Sequence, residues 1–212
     1  MRFDITDRVP ATAELAEEIR PDLLALGQAV FPEPGAVMVC PVARRAGATT
    51  VACALGVAGA AEGPGARVVL VDFDLRRGRL QRRLGLTDGP GLADVIMGRI
   101  RLADALQRVG PDELDVLTAG QADGITADHV GGANAEKALA DLREWFDYLI
   151  VDVPVVGRCP DAEVLAAMVG RAVLVARPRH AAAIADAGGR LAQAGAEVLG
   201  VVLNGGAGRG SG

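Results

Sequence analysis

Short runs rich in Val, Ile and Leu recur along the 212-residue chain, at 36–40, 67–71, 114–117, 148–151, 172–176 and 197–203. Each has the length of a strand and is apolar on both faces, as expected of parallel strands covered by helices on either side. Between them lie stretches with helical spacing, at 49–60, 91–97 with 102–109, 135–146, 161–168 and 181–194. Strand and helix alternate from Ala36 onward, which predicts an α/β fold: a doubly wound, mostly parallel sheet flanked by helices. Gly63-Pro64-Gly65 and Gly195 interrupt the chain just before strands, and Pro160-Asp161 is suited to opening a helix. Ahead of the first strand, residues 11–29 read as an amphipathic helix with Leu15, Ile19, Leu23 and Leu26 on one side, bent or restarted at Pro21. The expected organisation is a helical segment over 1–35, an α/β domain over 36–205 and a disordered tail over 206–212. The Gly- and Asp-bearing stretch 121–134 reads as a mobile loop.

Composition narrows the function. The formal net charge is −5, which argues against nucleic acid as a partner, since that binding needs clustered positive charge. No apolar run approaches the roughly 20 residues of a membrane span, and the start MRFDITDR lacks a signal-peptide pattern, so a cytoplasmic location is expected. Cys40, Cys53 and Cys159 lie in or beside apolar runs without metal-ligand spacing and read as buried reduced thiols. Of 22 basic residues only Lys137 is a lysine; Tyr148 is the one tyrosine and Ser211 the one serine. Mechanisms that need a loop lysine, a serine nucleophile or a tyrosine cluster have almost no material here.

In an α/β sheet ligands bind beyond the carboxyl ends of the strands, so the segment after Cys40 is the first candidate. It runs Cys40-Pro41-Val42-Ala43-Arg44-Arg45-Ala46-Gly47-Ala48-Thr49-Thr50 and leads into a helix. A phosphate-binding loop uses glycines to turn backbone N–H groups inward, a lysine for the β/γ oxygens and a Ser or Thr for magnesium. Gly47, Thr49 and Thr50 stand where loop meets helix, an end that offers free N–H donors to an anion. Ala48 occupies the lysine position. Arg45 occupies a glycine position, where its Cβ disfavours the positive φ such loops use. Alone, this stretch reads equally well as a plain strand–helix turn. The second strand, however, ends Asp72-Phe73-Asp74-Leu75-Arg76, and the fourth ends at Asp152. Carboxylates gathered near an anion site suit the holding of magnesium and a nucleophile against a γ-phosphate; the alternative is that each caps a turn.

Leu70-Val71-Asp72-Phe73-Asp74-Leu75-Arg76 carries the pattern of an apolar strand followed by Asp-x-Asp-x-Arg. With the loop and the stretches 89–95, 114–120, 147–154 and 198–205, the chain resembles, from about residue 17 to 205, the cytoplasmic kinase domain of bacterial tyrosine kinases. That family serves capsule and exopolysaccharide synthesis and is grouped with the MinD/ParA-type deviant P-loop ATPases. The resemblance implies that Thr49 coordinates magnesium and Thr50 touches the α-phosphate. Asp72 would be the base or a ligand anchor, Asp74 would contact the magnesium shell or the substrate, and Asp152 would anchor the metal. Asn204, Arg177 and Pro178 would line the adenine pocket. Glu17 and Arg20 match the first half of a Glu-x-x-Arg-x-x-Arg helix used for ring assembly, whose last Arg is Leu23 here.

The departures bear on activity. Ala48 lacks the charge that stabilises the developing negative charge between β- and γ-phosphates; losing one such preorganised contact costs on the order of 10²–10³ in rate. An arginine-for-lysine bias in composition would have left Arg at position 48, not Ala. Tyr148 begins a strand, so tail autophosphorylation on tyrosine is not expected. Arg44 and Arg45 could bring guanidinium groups to an anion or form a solvated turn. The cluster Arg76, Arg77, Arg79, Arg82 and Arg83 reads as a solvated helix face paired to acidic neighbours. One reading follows in which a degenerate, catalytically impaired kinase-like module, with weak ATP/ADP and Mg binding, engages a membrane polysaccharide co-polymerase or a related ATPase and forms homo-oligomers. The other is a MinD/ParA-type ATPase that dimerises on ATP and positions cargo, and a weaker third is a tyrosine kinase acting on a partner's tyrosines.

Overall fold

The structure, a computed structural model, describes residues 2–3, 25–61, 65–109 and 114–205. Glu17, Arg20, most of the 11–29 helix and the tail 206–212 lie outside the described residues; within them, 25–30 is helical.

Among the described residues eight strands form one sheet: β1 (Arg2–Phe3), β2 (Gly35–Pro41), β3 (Val68–Asp72), β4 (Gln107–Val109), β5 (Leu114–Leu117), β6 (Tyr148–Asp152), β7 (Arg171–Ala176) and β8 (Glu197–Asn204). Their order is β1-β8-β7-β2-β6-β3-β5-β4, and every pairing is parallel except β4 with β5. The doubly wound α/β class expected from the alternating pattern is therefore the class observed.

Alternation within each strand sends side chains to two apolar layers. Val37 and Val39 of β2 face a cluster built with helix α1 (Ala48–Ala61) and with Leu26, Val30 and Phe31. Met38 and Cys40 face a second cluster, which holds the interior sides of α3 (Leu92–Ile96), α6 (Ala133–Trp145), α7 (Asp161–Val169) and α8 (Ala181–Gln193). Complete burial of a Leu or Ile contributes roughly 1.5–3 kcal/mol each, and Leu70, Leu149 and Ile150 are all at most 1% exposed, so the central strands fix the register of the sheet. No helix among the described residues is long and apolar enough to cross a membrane.

Three local expectations are corrected. Residues 102–109 are not one helix: α4 (Leu102–Ala105) ends where Leu106 turns extended, and β4 follows as an antiparallel edge strand with Arg108 ion-paired across to Asp115 at 3.3 Å. The stretch 121–134 contains a helical turn, α5 (Ala127–Val130), opened by Thr126, whose hydroxyl lies 2.7 Å from His129 Nδ1, and pinned by buried Val130. Cys40 and Cys53 are buried thiols as expected, whereas Cys159 is only half-buried, because it lies in the loop before α7 rather than in an apolar run.

Candidate functional site

The chain leaves β2 through α1 towards β3 on one side and leaves β6 through α7 towards β7 on the other, with β2 and β6 side by side. The two crossovers pack on opposite faces of the sheet. The strand order thus reverses between β2 and β6, and the crevice at their carboxyl ends is where an α/β sheet binds ligands.

The loop from Pro41 to Ala48 occupies this crevice. Val42 N donates to Val175 O at 3.1 Å, which fixes the loop's start to β7. Arg45 has φ 61°, the only non-glycine residue with positive φ among those described, and Gly47 has φ 93°. The position read as a glycine position thus has the left-handed backbone a glycine would favour, and Arg45 holds it at a cost of about 1–2 kcal/mol. A Cβ on Gly47 would overlap the side-chain amide of Asn204, so no larger residue fits there. Asn204 ends β8; it is buried, its Nδ2 donates to Ala46 O at 3.0 Å, and its Oδ1 has no partner. It therefore braces the loop from beneath. Ala48, the first residue of α1, is buried and contributes no charge.

The carboxylates come from strand ends. Asp72 and Asp152 are register partners on β3 and β6. Asp72 is fully buried; its oxygens accept hydrogen bonds from Asp74 N and Leu80 N, both at 3.0 Å. Burial pushes its pKa up to about 7, against the lowering effect of those N–H groups. Asp152 is also buried, and burial together with the nearby charge of Asp72 raises its carboxyl well above the ordinary range; a hydrogen bond with the Thr49 side chain opposes this. Its Oδ2 has no partner. Asp74 is buried too, and its pKa is raised by that burial, with Arg77 and Arg79 pulling the other way.

Two arginines that sequence spacing did not place are found here. Arg77 and Arg79 line one small space with Pro41, Arg45, Gly47, Thr49, Asp74 and Asp152. The turn that carries them is fixed by Arg77 N and Gly78 N, each donating to Asp74 O at 2.9 Å, and by the Leu80 N bond to Asp72. The expected solvated face of this cluster is corrected accordingly, since helix α2 (Arg79–Leu84) begins in the crevice. Arg76, by contrast, pairs with buried Asp161 at 3.3 Å, as an acidic neighbour was expected to do. The shared signal was only the Asp-x-Asp-x-Arg-Arg-Gly-Arg run, in which Gly78 has φ 51° and folds the chain back over the strand end.

Thr50 is buried behind Thr49 in the first turn of α1. Arg177 and Pro178 follow β7 directly, and Ala176 is in register with Leu203, so they share with Asn204 the carboxyl edge on the far side of the loop. The Arg177 Nε is buried without a partner. Tyr148 begins β6, half-buried and edge-on to Phe31 at 5.3 Å between ring centroids.

The residues present fit a magnesium-bound nucleotide in part. No group of three or more His, Cys, Asp or Glu side chains among the described residues forms a metal cage; magnesium, however, takes few protein ligands and keeps water and phosphate oxygens. The orphaned Asp152 Oδ2 beside the Thr49 hydroxyl matches that need, and the positive-φ loop offers backbone N–H groups. The space these residues enclose is about 20 Å³, room for one water, and it is bordered on the solvent side by exposed Arg44 and Arg45.

No family model matches the chain. It is 28% identical over 142 residues to the CapB protein of Staphylococcus aureus, which bears a tyrosine-protein kinase name; the match covers 66% of this chain and 62% of that protein. Against tyrosine-protein kinase Etk of Escherichia coli strain K12 it is 30% identical over 141 residues, 66% of this chain and 19% of Etk. The chain thus spans less than two thirds of either relative. The solved kinase domain of Escherichia coli Etk superposes with a TM-score of 0.81 at 26% identity, covering 99% of this chain and 85% of that one. The cell division ATPase MinD of Pyrococcus furiosus gives 0.71 at 27% identity, covering 84% and 74%. The homologues of this chain are bacterial tyrosine-protein kinases, and its fold is that of their kinase domains and of MinD-like P-loop ATPases.

Proposed function

We propose that this chain is a catalytically impaired, nucleotide-binding P-loop module that acts in regulation or assembly alongside the machinery of capsule or exopolysaccharide synthesis, through a membrane polysaccharide co-polymerase or a related ATPase. The observation that carries this is Ala48, buried at the start of α1 where the loop needs a cation, beside a carboxylate pair and a Thr49–Asp152 contact that suit a magnesium-bound phosphate. Bound magnesium would neutralise phosphate charge. The chain's own residues would do the rest: backbone N–H groups of the loop hold the phosphates, Thr49 and Asp152 face the metal, Asp72 serves as base or water anchor, Asp74 faces the magnesium shell or the substrate, and Arg177, Pro178 and Asn204 border the base. Calorimetry with Mg-ATP, together with phosphate-release assays, tests this: weak binding and no turnover are expected, while sub-micromolar affinity with measurable turnover overturns it.

The likeness to MinD supports a second reading, an ATPase that dimerises on ATP. Sedimentation with and without Mg-ATP separates the two. A nucleotide-dependent dimer lost on Arg44→Ala with Arg45→Ala favours the second; one unchanged oligomer removes it.

A further inference from the structure

The loop lacks a lysine, yet the crevice does not lack positive charge. Arg79 opens α2, is half-buried, and has neither an ion pair nor a side-chain hydrogen bond among the described residues. It lines the same small space as Gly47, Thr49 and Asp152. Its charge is close enough to draw down the pKa of both Asp74 and Asp152 against the burial that raises them. Its backbone cannot drift, because the Asp72 carboxylate holds the neighbouring Leu80 N at 3.0 Å and Gly78 N is tied to Asp74 O at 2.9 Å. Arg82, on the same short helix, is exposed and takes no part in the lining. With the Asp74 and Asp152 carboxylates near but in no hydrogen bond or ion pair with it, this half-buried guanidinium keeps its N–H donors available, and a phosphate would take them in two parallel N–H···O bonds.

Resting on the proposed nucleotide binding, we infer that Arg79, entering from the turn after β3, is the phosphate-binding cation of this chain and stands in for the lysine absent at position 48. The pair Arg44 and Arg45, which borders the same space but is exposed to solvent, is not. This substitution changes what the site does. A guanidinium fixed to the β3 turn binds the phosphates in the ground state, but it does not arrive from the loop between the β- and γ-phosphates where charge develops. A weak affinity is thereby kept while turnover is not.

The test is titration calorimetry of the whole chain with Mg-ATP and with Mg-ADP, on wild type, Arg79→Ala, Arg79→Lys, Arg82→Ala and the Arg44→Ala, Arg45→Ala double variant, each checked by thermal melting. Arg79→Ala is expected to weaken both nucleotides about tenfold or more, the scale of a charge-assisted contact. Arg79→Lys should recover part of this, Arg82→Ala should stay within about threefold of wild type, and the double variant should lose less than Arg79→Ala. Equal losses for Arg79→Ala and Arg82→Ala, or a larger loss for the double variant, overturn the role of Arg79 while leaving nucleotide binding standing. Absence of binding by wild type at millimolar nucleotide overturns both.

Discussion

Asp72 and Asp152 stand opposite one another as register partners at the carboxyl ends of β3 and β6, both buried, and only one of them has both oxygens satisfied by protein. Parallel pairing forces this proximity, since the two side chains leave adjacent strands at the same height. The folded pair therefore keeps protons that the unfolded chain gives up. For Asp72 the window runs from the ordinary 3.8 to about 7, and within it stability falls as pH rises, at up to about 1.4 kcal/mol per pH unit for each group. Asp152→Asn should flatten that slope and raise the urea midpoint at pH 7; an unchanged slope between pH 5 and 7 would show that the pair does not titrate there.

Ala48→Lys restores the missing loop cation. Phosphate release from Mg-ATP should rise by on the order of 10²–10³, the usual weight of one preorganised electrostatic contact. No gain in the single variant, but a gain with Arg45→Gly added, would place the fault in the shape of the loop.

Loop geometry makes two opposite predictions. Gly47→Ala puts a methyl into the Asn204 amide on a backbone at φ 93°, and should lower stability by about 2 kcal/mol or more. Arg45→Gly relieves φ 61° and should raise the unfolding free energy by about 1 kcal/mol or leave it unchanged. Denaturant titration reads both.

A further carboxylate, outside the lining of the crevice, carries a purely structural expectation. Asp94 accepts hydrogen bonds from Gly91 N at 2.8 Å, Gln121 N at 3.1 Å and Arg99 Nε at 2.9 Å. Burial works to raise its pKa, and these donors outweigh it, so the folded value lies below 3.8. Its contribution is present above that value and is lost as pH falls below it. Asp94→Ala should cost about 2–4 kcal/mol, since three donors lose a charged partner, and should leave nucleotide binding unaltered.

Much of the sheet was legible because its central strands are apolar on both faces, a pattern that few other elements share. Edge strands carry no such mark: Arg2–Phe3 and Gln107–Val109 are two and three residues long, and nothing in their composition distinguishes them from turns. In the site, Asp72, Asp74 and Asp152 could be named because strand ends point to one rim. The arrival of Arg77 and Arg79 depends on a left-handed Gly78, a torsion that the letter alone does not disclose. The bracing role of Asn204 was hidden for a similar reason, since it acts through a backbone carbonyl 158 positions away.

The edge strand β1 pairs Phe3 with Asn204, and Asn204 in turn carries the floor of the loop through Ala46. Residues 2–3 and the turn after β2 are thus both joined to the last residue of β8. Short edge strands detach more readily than central ones. Loss of this short edge strand is therefore expected to loosen Asn204 and, through the Ala46 carbonyl, the loop above it, an effect that hydrogen exchange at the loop amides would read.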